Sequence, residues 1–176
     1  DIVFLLDGSG SIGPQNFERV KDFVERVVER LDIGPDKVRV GLVQYSDNVR
    51  TEFKLNDYQN KDEVLQALRK IQYYGGGGTN TGTALQYVVR NLFTEASGSR
   101  EGAPKVLVVL TDGRSQDDPI RDVLNELKKA GVNVFAIGVG NADNVEELRE
   151  IASKPDEQHV FKVSDFEALD TLQELL

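Results

Sequence analysis

The segment Asp7-Gly-Ser-Gly-Ser-Ile-Gly13 alternates a carboxylate and two hydroxyls with glycine, and it admits three chemistries. Gly8, Gly10 and Gly13 match the G-x-G-x-x-G fingerprint of dinucleotide-binding loops. Such a loop lays a pyrophosphate on its amides, and Asp7 would set a carboxylate beside that charge. The acidic ribose partner is expected at the end of the second strand, about 20 residues further on, and the nearest candidate at that strand end, Asp47, lies well past that point. A second reading takes Ser11 as the nucleophile of a degraded elbow, with Asp112 as acid and His159 as base, in hydrolase order. Here Ser9 replaces the first glycine of the elbow, and the only histidine falls at the start of the last expected strand. The third reading uses every polar side chain of the loop. Asp7, Ser9 and Ser11 point to one side of a tight turn and, with Thr79 and Asp112 from two other loops, offer oxygen ligands to a hard cation. Magnesium is the expected ion, with manganese or calcium as substitutes. Threonine before a helix is often only a cap, and Asp-Gly after a strand is often only a turn. Their coincidence at one crevice carries the argument.

That crevice follows from the elements. Residues 1–6, 106–110 and 132–139 are short, β-rich and nearly continuously apolar, as strands covered on both faces must be. Residues 38–45 form a fourth candidate, and residues 49–55 alternate as a half-exposed edge strand does. The short link between these two predicts an antiparallel hairpin. A sixth strand is expected over residues 159–163. Phe17, Val20, Val24, Val27 and Leu31 give a first helix one apolar face. Asn60 with Glu63 opens a second helix carrying Val64, Leu65, Leu68 and Ile71. Further helices are predicted over residues 83–94, after the Asp118-Pro119 start with a glycine stop at Gly131, over residues 144–153, and over residues 166–176, capped by Ser164 and Glu167.

This alternation predicts an α/β fold, a doubly wound and mostly parallel six-stranded sheet with one antiparallel edge strand and helices on both faces. If the strands flanking the first lie on opposite sides of it, a topological switch point falls at the ends of the strands that carry Asp7 and Asp112. The glycines at 75–78, just before Thr79, let backbone approach closely there.

Length and composition set the frame. A chain of 176 residues with 39% apolar and 29% charged residues suits one domain over residues 1–176. The net charge of −9 and the lack of a basic stripe argue against nucleic acid. No apolar run approaches the roughly 20 residues of a membrane span, and no targeting pattern opens the chain. Cysteine is absent, which excludes disulfides and thiolate metal sites. Methionine and tryptophan are absent too, as suits an averaged or engineered sequence.

Asp7-Gly-Ser-Gly-Ser11, Thr79-Asn-Thr-Gly-Thr-Ala-Leu85 and Thr111-Asp-Gly113 together resemble the three loops of the metal-ion-dependent adhesion site of von Willebrand factor type A domains. Val40-Gly-Leu-Val-Gln-Tyr-Ser46 and Phe135-Ala-Ile-Gly-Val-Gly140 agree, so the resemblance covers essentially the whole chain. It implies that Ser9, Ser11 and Thr79 offer hydroxyls to the metal, while Asp7 and Asp112 bind directly or through water. It further implies a non-enzymatic, extracellular, monomeric adhesion module gripping a Glu or Asp of a protein ligand, collagen or another matrix protein. Gly140 runs to Asn144 without the inserted helix of collagen-binding integrin domains, so the chain looks nearer to domains of collagens VI and XII and matrilins, and collagen specificity is unsupported. The resemblance also implies a terminal helix, residues 166–176, that shifts on binding. Two alternatives remain: a structural matrix domain that binds partners without metal, and a magnesium-dependent phosphohydrolase with Asp7 as nucleophile.

Overall fold

The computed structural model of the protein describes residues 1–78, 80–112, 120–139 and 145–162. Its strands are β1 (Ile2–Asp7), β2 (Val40–Tyr45), β3 (Val49–Phe53), β4 (Lys105–Thr111), β5 (Val132–Gly138) and β6 (Val160–Lys162). Its helices are α1 (Pro14–Arg30), α2 (Lys61–Arg69), α3 (Thr81–Tyr87), α4 (Ile120–Lys129), α5 (Val145–Ile151) and the single turn α6 (Asp156–His159). The sheet order is β3-β2-β1-β4-β5-β6. Every pairing is parallel except β2 with β3. The expected doubly wound sheet with one antiparallel edge strand is therefore present.

Alternation along β1 divides the core. Ile2, Phe4 and Leu6 face α1 and α2, meeting Phe17, Val20, Val24, Val64 and Leu68. Val3 and Leu5 face the opposite layer, meeting Ala84, Leu85, Val123 and Leu127 of α3 and α4. Burying each large apolar side chain contributes about 1.5–3 kcal/mol, so both faces of the central strand hold it in place. β2 and β4 lie on either side of β1, and the chain reverses direction there. The carboxyl ends of β1 and β4, at Asp7 and Thr111, flank the crevice.

The helix starts follow local chemistry. Asn60 Oδ1 accepts from Glu63 N at 2.9 Å, and Asn60 Nδ2 donates to Glu63 Oε1 at 2.9 Å, a reciprocal cap on α2. Gly13, at φ 81°, turns the chain into Pro14 at the start of α1. Gly131, at φ 73°, follows α4 as the expected left-handed stop.

Several boundaries differ from those expected, among them β2, which begins at Val40, and β3, which ends at Phe53. The helix expected over 83–94 begins at Thr81 and continues past α3 as a π-helical turn over Val88–Leu92. The last strand begins at Val160, because His159 ends α6 instead. The helix expected over 144–153 spans Val145–Ile151. The Asp118-Pro119 start, Val163, Ser164 and the terminal helix at 166–176 lie outside the described residues.

Candidate metal site

Asp7 ends β1 fully buried, 0% exposed, opposite Tyr45 in the parallel register. Its Oδ1 accepts from Ser9 N at 2.9 Å, and its Oδ2 accepts from Thr111 Oγ1 at 2.7 Å. Above it, Ser9 Oγ and Ser11 Oγ are 3.0 Å apart, and Ser11 Oγ donates to Asp112 Oδ2 at 2.7 Å. Asp112 is 7% exposed, whereas Ser11 opens to solvent. The structure thus brings Asp7, Ser9, Ser11 and Asp112 together across the switch point. Thr79 lies outside the described residues.

Electrostatics at this point are one-sided. Burial raises the Asp7 carboxyl above its ordinary value, and the Asp112 charge adds to that, while hydrogen bonds from Ser9 and Thr111 oppose it. Among the described residues, the largest influences on it include no lysine or arginine. Two carboxylates with little exposure and a line of hydroxyls leave a local excess of negative charge, the condition a hard cation relieves. The donor set therefore fits an oxygen-bound divalent ion. Among the described residues no cluster of three His, Cys, Asp or Glu side chains occurs, and the oxygen donors gathered here are two carboxylates and the hydroxyls of Ser9 and Ser11.

A second loop braces the first. Gly75 N donates to Gly8 O at 2.8 Å and Gly10 N to Gly76 O at 2.6 Å, with a parallel bridge between Ser9 and Gly76. Tyr73 OH donates to Ser9 O at 2.6 Å and accepts from Gly13 N at 3.2 Å. Gly8 must be glycine, because a Cβ there would strike the Gln44 side chain. These contacts bear on the dinucleotide reading. The Gly8, Gly10 and Gly13 amides that would cradle a pyrophosphate are already bonded to Tyr45 O, Gly76 O and Tyr73 OH.

The hydrolase reading fails on distance in the fold. His159 sits beside the amino end of β6, stacked on Phe135 at 4.8 Å between ring centroids. Its ring nitrogens meet Pro155 O and Asn133 Oδ1 at 2.8 and 3.0 Å, so Ser11 has no imidazole partner in His159.

Residue reasoning passed over a buried layer beneath the site. Tyr45 OH lies 2.9 Å from Thr81 Oγ1, and burial, with the Asp7 charge, pushes its phenol well above the usual range. The hydroxyl therefore stays neutral and available as a hydrogen-bond partner. Fully buried Gln44 donates Nε2 to Gln72 O and Glu52 Oε1 and accepts from Tyr74 N at 2.7 Å. An amide inside an otherwise apolar strand was the available signal, since buried polar groups require partners.

Comparison with known proteins places the fold in a family. The family model of the von Willebrand factor type A domain matches residues 1–175. Matrilin-1 of Gallus gallus is 48% identical over 172 residues, covering 98% of this chain and 34% of that protein. The collagen alpha-1(XX) chain of Homo sapiens is 49% identical over 176 residues, covering 100% of this chain and 14% of that protein. This chain therefore spans about a third or less of these relatives, which are secreted extracellular matrix proteins. Among solved structures, proximal thread matrix protein 1 from the mussel byssus, with a zinc-occupied MIDAS motif, superposes with a TM-score of 0.86. It is 32% identical, and the match covers 99% of this chain and 46% of that one.

Proposed function

This chain belongs to the von Willebrand factor type A family, and from that premise we propose that residues 1–176 form one non-enzymatic adhesion domain of the extracellular matrix, monomeric in isolation, that uses a divalent cation to engage a carboxylate of a protein partner. The supporting observation is the line Ser9, Ser11, Asp112 above buried Asp7. Ser9, Ser11, Thr79, Asp7 and Asp112 would hold the ion, magnesium in this reading, with manganese or calcium able to replace it. The ion when bound supplies an electrophilic position suited to a Glu or Asp side chain, because three neutral hydroxyls quench its charge less than carboxylates would. The zinc in the mussel protein's site supports cation binding by this kind of loop set. Ser11 and Asp112 hold the rim, Asp7 supports them from beneath, and the glycine-rich second loop leaves room for a partner's backbone.

A phosphohydrolase role finds no support in Asp7. The carboxylate is fully buried, so it offers no exposed oxygen to an incoming phosphoryl group. A metal-independent reading has one observation in its favour: the loops are already joined by backbone bonds at Gly8, Gly10, Gly75 and Gly76. Partners would then use another face, with the ion only stabilising the loops.

One variant separates the two. Calorimetric titration should show magnesium binding to wild type and at least about tenfold weaker binding to Asp112→Ala, the range lost with one charged ligand. Capture of the domain on immobilised matrix proteins should then fail both with chelator and in Asp112→Ala. Capture that survives both treatments supports the metal-independent reading.

A further inference from the structure

The end of β2 continues into Ser46, a buried hydroxyl that the site as described does not use. Ser46 is 0% exposed, and three residues of the second loop converge on it. Its Oγ donates to Gly78 O at 2.5 Å, and its own carbonyl accepts from Asn80 N at 3.1 Å. Gly76 packs so closely on it that a Cβ at position 76 would collide with Ser46 Oγ. Next door, Asn80 Nδ2 donates to Asp47 O at 3.1 Å. The β2–β3 turn therefore grips the second loop at Gly76, Gly78 and Asn80. Gly76 in turn accepts from Gly10 N, which places the first loop in register with it. Position passes from strand to second loop through the Ser46 hydroxyl and carbonyl, and from second loop to first through the backbone of Gly76 and Gly10.

From this convergence we infer that Ser46 is a positioning residue that fixes the spacing of the two loops and, through it, the preference of the site for magnesium over the larger calcium. The inference rests on the cation-site reading above. Its physical basis is that magnesium requires near-ideal octahedral ligands at about 2.0–2.1 Å, whereas calcium accepts irregular shells at about 2.3–2.6 Å. A loosened loop is therefore penalised for the smaller ion more than for the larger. Alanine at 46 leaves the buried Gly78 carbonyl without its hydroxyl donor. Valine at 46 adds bulk where Gly76 has no room.

The experiment measures magnesium and calcium affinities by calorimetry, well below the melting temperature, for wild type, Ser46→Ala, Ser46→Val and a control, Ser97→Ala. Ser97 is also a buried serine with a hydroxyl on a backbone carbonyl, Asn91 O at 2.5 Å, but it precedes β4 at the opposite end of the sheet from Asp112. Ser46→Ala is expected to weaken magnesium binding about tenfold and calcium binding less than about threefold, lowering the ratio of the two affinities. Ser97→Ala should lose thermal stability and keep the wild-type ratio. Gly76→Ala, which presses on the same contact from the loop side, should lower the ratio as Ser46→Ala does and covers the case in which Ser46→Val does not fold. A wild-type ratio in Ser46→Ala and Gly76→Ala overturns the inference alone. Wild-type protein that binds neither ion overturns the cation-site reading and this inference with it.

Discussion

Asp7 concentrates the tension of this molecule in one side chain. A carboxylate at 0% exposure, beside a second carboxylate and with hydrogen bonds from Ser9 and Thr111 opposing its desolvation, is costly in the metal-free fold. Its folded-state value is raised, so the charged form is disfavoured by folding, and metal-free stability should grow as pH falls from neutral through that raised value. Asp7→Asn keeps the shape and removes the charge. Thr111 can reverse its hydroxyl to accept from the new amide, while Ser9 N keeps an oxygen acceptor. In chelator, the variant is expected to melt at or above wild type, by an amount on the order of 1 kcal/mol. On adding magnesium, wild type should gain stability and the variant should not. A variant clearly less stable than wild type in chelator would show that the Asp7 charge is not a burden to the fold.

At the scale of elements, the loops work because their flanking helices and strands are locally well specified. The Asn60 and Glu63 pair caps α2, whose Val64, Leu65 and Leu68 close the core over α1. Asn60→Ala should cost about 1 kcal/mol and lower the melting temperature by about 2–4 °C for a chain of this size. Magnesium affinity should not change, since α2 carries no site residue. Urea titration reads the first outcome and calorimetry the second. Element boundaries were less legible than element types. His159 was placed in a strand by its apolar neighbours, yet it closes a helical turn because Pro155 O and Asn133 Oδ1 hold its ring. Thr81 joins α3 because its hydroxyl finds Tyr45, a partner distant in sequence.

At the scale of the whole molecule, the cation would join β1 and β4 through loops that already touch. Its binding should raise the melting temperature with the logarithm of free magnesium, as mass action on the folded state requires. At 100 times the dissociation constant the gain is about 2.7 kcal/mol. Chelator should reverse that gain while far-UV circular dichroism stays unchanged, because the backbone bonds between Gly8, Gly10, Gly75 and Gly76 hold the loops without it. Collapse of the secondary structure on chelation would instead make the ion a folding requirement. The chain's charge of −9 favours solubility and works against binding to phosphate backbones.

Apolar runs and their punctuation were enough to predict a doubly wound sheet with Asp7 and Asp112 at strand ends, because hydrophobic period and strand length are local properties of the chain; that those two strands are neighbours is decided by the sheet order. The ligand types were legible for the same reason: Asp7, Ser9 and Ser11 alternate within one turn. Only the tertiary structure decided what braces them. Gln44, Ser46, Tyr45 and Tyr73 act on residues from other parts of the chain, through a carbonyl, an amide or a hydroxyl. No period announces such a bond, since its partner is set by strand register and loop path. The opening loop therefore shows its carboxylate and two hydroxyls in its own residues, while the spacing that would suit them to one cation lies in the strand beside it.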